Sequence, residues 1–493
     1  MSANAGRVLA FDLGASGGRV VLAAYDGKEI TLEEIHRFAN DPVFINGTLY
    51  WDVLRLMHEV KNGILKAQLA GGFESLAVDT WGVDFGLLDK DGRLLENPVH
   101  YRDNRTAGMV EEAFKLIPKE RFYNTTGNQF MEINTAFQLL SLAKNRPELL
   151  SRADKLLMMP DLFHYFLTGC AISERSISST TQLFNAVEGS WAYEVIDKLG
   201  LPKRLFGEIV PPGTVIGTLS PFLCEELDCP AAKVIAVCSH DTQSAVTAVP
   251  APDGDFLFIS CGTWSLLGTE CPAPIVNELS ERYNITNEST YNGKTTFLKN
   301  IIGLWLLQES RRHWSRHGRE YSFSELEMLA LEVKPFACFI DPDAPEFVRA
   351  GNIPGRIQAY CERTGQHVPE TAGEVVRCIY ESLAFKYRYA AEQISACTGK
   401  QYPQIYLIGG GARDKLLCAM SADACNARVI TGPFDATALG NAAVQFVANG
   451  CIESISEARR VIARSQKVLT CLPEQPEVWN KHYARFKKVT SLA

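Results

Sequence analysis

Twice in this chain an apolar, β-forming run stops at a short glycine-bearing turn and continues as a second β-forming run: VLAFDLGASGGRVVLAAY near the start and DFLFISCGTWSLLGTE just past the middle. A hairpin needs a sheet to belong to, and a sheet needs its apolar faces covered, so each occurrence marks a separate layered α/β unit. The recurrence predicts two related halves with a boundary near residues 243 to 255, where VPAPDGD supplies Pro, Gly and Asp. A length of 493 residues agrees, because it exceeds what one core supports.

The intervening segments fit this order. KEITLEEIHRF reads as a further strand of the first hairpin, and SLAVDTWGVDFGLLDKDGRLL as two β-like runs before a Lys90-Asp91-Gly92 turn. From Arg105 to about Thr168 the pattern is helical, with TAFQLLSLAKNRPELL an amphipathic stretch ended near Pro147 and Pro160. KVIAVCSHD reads as a buried strand. NIIGLWLLQESRRHW and ETAGEVVRCIYESLAFKYRYAAEQISACTG read as helices, and QIYLIGGGARDKLLCAMSADACN as a strand running through three glycines into a helix.

Composition narrows the partners. With 49 basic against 57 acidic residues the formal charge is -8, so no global positive field recruits nucleic acid or anionic lipid. No run approaches the ~18 to 20 apolar residues of a membrane span, and MSANAGRVLAFD lacks a basic segment followed by an apolar one; the expectation is a cytoplasmic protein with no membrane partner. The 14 cysteines are scattered without a CxxC and sit in apolar runs such as VIAVC, as reduced, buried thiols do. His313 and His317 are spaced i, i+4 in RRHWSRHGR, but without the HExxH glutamate and among arginines they read as a solvated basic face.

Glycine turns admit anions because backbone N–H groups approach a phosphate where side chains are absent. DLGASGGR is not a P-loop, having no lysine and leading into RVVLA rather than a helix, and a dinucleotide fingerprint also requires that helix. It reads either as a phosphate-binding hairpin, with Asp12 at a strand end holding Mg2+ through water and Ala15 to Arg19 beside the phosphates, or as an ordinary turn capped by Asp12. Ser260 to Ser265 carries the same two readings. Gly409 to Gly411 suits either a flat ligand lying on the backbone or close strand-to-helix packing. Asp241 in SHDT reads as an anion that accepts a hydroxyl proton or as the N-cap of TQSAVTAV.

DLGASGGR, DTWGVDF, YRDNR, SHDT, SCGTWSLLG, NIIGLWLLQ and LIGGGARD occur in the order and spacing of the FGGY carbohydrate kinases, a resemblance running from about residue 7 to about 450. It implies an α/β, two-domain actin-like, ribonuclease H-like ATPase fold with an interdomain cleft. Residues 1–245 would form the N-terminal FGGY domain with the sugar site and phosphate hairpin, and residues 246–493 the C-terminal domain with the nucleotide site. Carried over by position, Ala15, Ser16, Gly17, Gly18 and Arg19 would bind the phosphates of ATP. Gly82, His240, Asp241 and Thr242 would bind the sugar, with Asp241 the catalytic proton acceptor. Thr263, Asn300, Gln308 and Gly410 or Gly411 would complete the ATP site.

Ala15, where the family often has Thr or Ser, and Ala419, where it often has Gln, depart from the pattern. The resemblance is nearest to members that phosphorylate L-rhamnulose at O1 using ATP and Mg2+, with L-fuculose or L-xylulose as alternative ketoses. An actin-like ATPase without a sugar substrate is the alternative from another class; it would share the hairpins but need neither SHDT nor DTWGVDF.

Overall fold

The computed structural model describes residues 5–251 and 255–492, so residues 252–254 of the expected boundary turn lie outside the described residues. The chain divides into two compact units that interleave along the sequence. One gathers Met1–Gly254, Glu270–Phe297 and Asp435–Lys467; the other gathers Asp255–Thr269, Leu298–Phe434 and Val468–Ala493. Among the described residues no helix is long and apolar enough to cross a membrane.

The first unit is built on a six-stranded sheet ordered Thr214–Thr218, Lys233–Ala236, Ser75–Thr80, Gly6–Gly14, Gly17–Tyr25, Ile30–Ala39. Gly6–Gly14, Gly17–Tyr25 and Ile30–Ala39 form the antiparallel meander expected from the first glycine turn. Ser75–Thr80 runs parallel to Gly6–Gly14 on one side and to Lys233–Ala236 on the other. These three parallel strands are near-continuous apolar runs because both their faces are covered, and all six residues of Ser75–Thr80 are buried. One cover is the helix Ala436–Ala448, from late in the sequence. Its Gln445 Nε2 donates to Leu9 O at 3.1 Å, and its Oε1 accepts from Ser75 Oγ at 2.7 Å.

The second unit carries the larger part of a seven-stranded sheet ordered Thr286–Ser289, Thr295–Ile302, Trp264–Cys271, Leu257–Cys261, Gln404–Ile408, Arg428–Thr431, Leu469–Cys471. The second glycine turn again joins antiparallel strands, and Leu257–Cys261 again has a parallel neighbour, Gln404–Ile408. The helix Ala372–Thr398 opens with a capping box between Thr371 and Glu374 and ends on Gly399 in the left-handed region.

Three local expectations are corrected. The helix Thr135–Asn145 does stop just before Pro147, but Pro147 and Pro160 themselves stand in the first turns of Pro147–Arg152 and Met159–Thr168, where proline's missing N–H costs nothing, so Pro160 opens a helix rather than ending one, and the strand Lys155–Met158 separates those helices. TAFQLLSLAKN is helical over Thr135–Asn145, but its first eight residues are all buried, so it is not amphipathic. NIIGLWLLQ is not one helix; Asn300 to Ile302 finish the strand Thr295–Ile302, and the helix Trp305–Arg316 starts after Gly303. All fourteen cysteines are free, nine of them buried, and Cys338, Cys361 and Cys378 bring their sulfurs within 4.8 Å of one another.

Candidate active site

In the first unit the carboxyl ends of the three parallel strands bring chemistry together, the usual place for a site in such a sheet. Asp12 and Asp79 are register partners on Gly6–Gly14 and Ser75–Thr80, and Thr80 makes an isolated bridge with His240 just beyond Lys233–Ala236. Asp12 accepts from Arg19 Nε at 2.9 Å and Nη2 at 2.8 Å, while Nη1 of the same guanidinium bonds Asp435. Burial opposes the charge on Arg19, but the two carboxylates overcome it and hold its pKa above the usual value.

Asp79 is fully buried, and its carboxyl is pushed well above the usual carboxylate range by burial and then by Asp12, against one stabilising bond from Asn441 Nδ2 at 2.6 Å. Its Oδ1 is buried without a partner. An oxygen-donor pair with one unsatisfied buried atom is chemistry that suits a hard divalent cation, so Asp12 with Asp79 beside it fits Mg2+.

Asp241 opens the helix Asp241–Thr247, and His240, not Asp241, is its N-cap. Burial, partly offset by His240, pushes the Asp241 carboxyl up to about 6. Thr242 Oγ1 donates to Asp241 Oδ1 at 3.3 Å, and His240 Nε2 lies 3.5 Å from the same oxygen. A carboxylate with that pKa, half-buried at the start of a helix, is poised to take a proton near neutral pH.

Gly82 faces this group: a Cβ there would stand 3.4 Å from His240 Nε2 and 3.3 Å from the Thr180 side chain. The next residue, Val83, has φ +67°, a conformation a β-branched residue adopts only when its surroundings impose it. Those surroundings are Thr180 Oγ1 accepting from Val83 N at 3.2 Å and Thr135 Oγ1 donating to Val83 O at 2.7 Å. Asp84 then anchors the loop, accepting from Trp51 Nε1 at 2.6 Å, Trp81 Nε1 at 3.0 Å, Gln138 Nε2 at 2.9 Å and Tyr101 N at 3.2 Å. Thr135 and Gln138 explain why the helix Thr135–Asn145 turns polar groups inward: they hold this loop.

The turn Ala15–Ser16 joins Gly14 to Gly17. A cavity of about 520 Å3 is lined there by Asp12, Ser16, Gly17, Gly18 and Arg19 together with Arg37, Phe38 and Ala39. Gly18 is required by packing as well, since a Cβ on it would come within 2.3 Å of the Phe38 ring.

In the second unit Thr263 Oγ1 donates to Gln308 Oε1 at 3.3 Å, so two of the residues carried over for ATP touch. Gly303 N and Trp305 N both donate to Thr263 O, at 3.2 and 3.1 Å, seating the start of the helix Trp305–Arg316 on the turn. Asn300 lies on Thr295–Ile302, the strand beside Trp264–Cys271. Gly410 is exposed and a Cβ there would meet nothing within 4 Å, whereas Gly411 is buried with Cys261 Sγ 2.3 Å from where its Cβ would be. Of the two, Gly410 is open to a ligand and Gly411 serves strand-to-helix packing.

Sequence reading overlooked Asp79, Glu288 and Asp84. The apolar run LAV ending in Asp79 was a usable sign, the same one that marks Asp12; Glu288 in ITNEST carries no local sign, because its role depends on a contact 48 residues away, between its Oε2 and His240 Nδ1 at 2.9 Å.

Residues 7–248 match the N-terminal domain, and residues 257–449 the C-terminal domain, of the FGGY family of carbohydrate kinases. The chain is 40% identical over 479 residues to a rhamnulokinase from Bacteroides thetaiotaomicron, covering 97% of this chain and 98% of that one. It is 42% identical over 455 residues to a rhamnulokinase from Halalkalibacterium halodurans, covering 92% and 96%. Among solved structures it resembles the xylulose kinase from Rhodospirillum rubrum with a TM-score of 0.78 at 15% identity, over 99% of this chain and 98% of that one, a likeness of fold.

Proposed function

This chain belongs to the FGGY family of carbohydrate kinases, with the actin-like two-domain α/β fold of that family, and we propose that it transfers the γ-phosphoryl group of ATP to O1 of L-rhamnulose. The observation that carries the reading is the convergence of Asp12, Asp79 and the His240–Thr242 loop at three adjacent strand ends, facing the strained Gly82–Val83 turn. Identity near 40% to rhamnulokinases over almost the whole chain supports that sugar over L-fuculose or L-xylulose.

Phosphoryl transfer asks a protein for positioning and charge neutralisation more than for covalent chemistry. In this reading Gly82, His240 and Thr242 hold the ketose so that its primary hydroxyl meets Asp241, which accepts the proton as the oxygen attacks. Ala15, Ser16, Gly17 and Gly18 present backbone to the phosphates and Arg19 supplies a fixed cation. Thr263, Asn300, Gln308 and Gly410 hold the nucleoside. Asp12 would hold Mg2+, which when bound would supply neutralisation of the phosphate charge. In this reading the first unit carries the sugar residues, the proton acceptor and the phosphate turn, and the second the residues for the nucleoside.

The test is phosphorylation of a panel of ketoses by the purified protein with ATP and Mg2+, the phosphate position being assigned by NMR. L-rhamnulose 1-phosphate as the preferred product is expected; faster turnover of L-fuculose or L-xylulose would reassign the substrate.

A further inference from the structure

His240 is held from more sides than substrate contact requires. Its backbone N donates to Ser176 Oγ at 3.3 Å, and Ser239 N donates to Glu174 Oε2 at 3.2 Å. Ser176 Oγ in turn donates to that Glu174 oxygen at 2.5 Å. These bonds fix the main chain of the loop and leave the imidazole free to rotate.

The ring is fixed by Glu288 on the strand Thr286–Ser289. Glu288 is 4% exposed, and its Oε2 lies 2.9 Å from His240 Nδ1. The same oxygen accepts from Gln243 Nε2 at 2.9 Å, and Gln243 Oε1 accepts from Thr296 Oγ1 at 2.7 Å. Gln243 is therefore locked with its amide N–H toward Glu288, so this carboxylate oxygen has two donors aimed at it and acts only as an acceptor. An acceptor fixed opposite Nδ1 requires a proton on Nδ1, and the other nitrogen, Nε2, then points to Asp241 Oδ1 at 3.5 Å and toward Gly82.

Resting on the sugar-kinase reading, we propose that Glu288 is a positioning residue: through the chain Thr296–Gln243–Glu288 it fixes the orientation and Nδ1–H state of His240, so that Nε2 is presented to the sugar hydroxyl beside Asp241. The acidic group comes from a segment, Glu270–Phe297, that joins the first unit after the second glycine hairpin has been made. A merely structural Glu288 would stabilise the fold and leave the ring's state and the sugar's KM alone. A positioning Glu288 acts on the sugar in particular, because ATP is held by other residues.

The experiment compares wild type with Glu288→Gln, which keeps a neutral acceptor, and Glu288→Leu, which removes it. Nitrogen-15 NMR of histidine-labelled, substrate-free protein is expected to show a strongly hydrogen-bonded Nδ1–H for His240 in wild type, a weakened one in Glu288→Gln and none in Glu288→Leu. In steady-state assays the KM for L-rhamnulose is expected to rise about 10- to 100-fold in Glu288→Leu, with partial rescue in Glu288→Gln and the KM for ATP unchanged. If Glu288→Leu does not fold, Glu288→Gln and Gln243→Leu carry the same test, the latter freeing the carboxylate to move. The NMR readout needs no sugar, so a wild type that phosphorylates no ketose removes the kinase reading and leaves the ring result standing. An unchanged Nδ1–H signal, or equal losses for sugar and ATP, overturns the role of Glu288.

Discussion

At Gly14–Gly17 the first hairpin turns between an aspartate and an arginine bonded to each other, with Asp79 on the neighbouring strand and Asp435 completing the arginine's pairing. At Cys261–Trp264 the second hairpin repeats the antiparallel pairing and has a parallel neighbour of its own, and the side-chain hydrogen bonds of Thr263 and Ser265 there join uncharged groups. Ser265 Oγ meets the Tyr387 hydroxyl at 2.7 Å, and Thr263 meets Gln308. One backbone plan has been fitted with ionic chemistry in one unit and with uncharged hydrogen bonding in the other. Under the proposed function the difference separates the work: the charged turn is the one offered to the cation and the phosphates, the other is the one offered to the nucleoside.

The largest test of that separation is Asp241→Asn, which keeps shape but cannot take a proton. It is expected to lower kcat by about 10² to 10⁴ with nucleotide binding near normal, as read by turnover and by calorimetry. Because burial raises the Asp241 carboxyl to about 6, wild-type kcat should fall as pH drops through that value, and the variant should lose that limb. Near-normal turnover would place proton transfer elsewhere. Next, Asp12→Ala strips one of the two carboxylates from Arg19 and should move the midpoint of a magnesium titration by about 10- to 100-fold. The corresponding neutral change, Thr263→Val, should leave that midpoint in place, and an equal shift in both would erase the contrast.

Packing offers a third comparison. Gly18→Ala drives a methyl into the Phe38 ring and should cost about 1 to 3 kcal/mol in urea unfolding. Gly262→Ala meets nothing nearer than Trp264 O at 3.9 Å and should stay within about 0.5 kcal/mol of wild type. On nucleotide affinity the expected effect of Thr263→Val is modest, about 0.5 to 1.5 kcal/mol for one lost hydrogen bond, measured as the KM for ATP with kcat unchanged.

Both hairpins, the strand before SHDT and the strand-glycine-helix at Gly409 were legible because each is local: an apolar run, a turn residue, a change of period. The helix at Thr135–Asn145 misled because Thr135, Gln138 and Ser141 are polar yet buried, spent on the Val83 carbonyl, Asp84 and the Arg105 carbonyl, partners a periodicity count cannot see. NIIGLWLLQ misled because strand and helix meet at Gly303 with no polar residue between them. The places of Glu270–Phe297 and Asp435–Lys467 in the first unit show in distant pairs such as Asn287 with the Gly127 carbonyl, Arg459 with the Thr247 carbonyl and Asn441 with Asp79, none of which leaves a mark in the neighbouring sequence.

That interleaving has a consequence for the order in which the molecule is made. The first sheet emerges from the ribosome early, but the helix Ala436–Ala448 that covers it, and the Asn441 amide that satisfies Asp79, come only after the other unit. At about 5 to 20 residues per second, the stretch from Gly254 to Lys467 takes roughly 10 to 40 s to synthesise. For that interval the early strands stand without this one of their covers and a carboxylate meant for the interior still faces water, so the first unit reaches its finished interior only when the last part of the chain has been made.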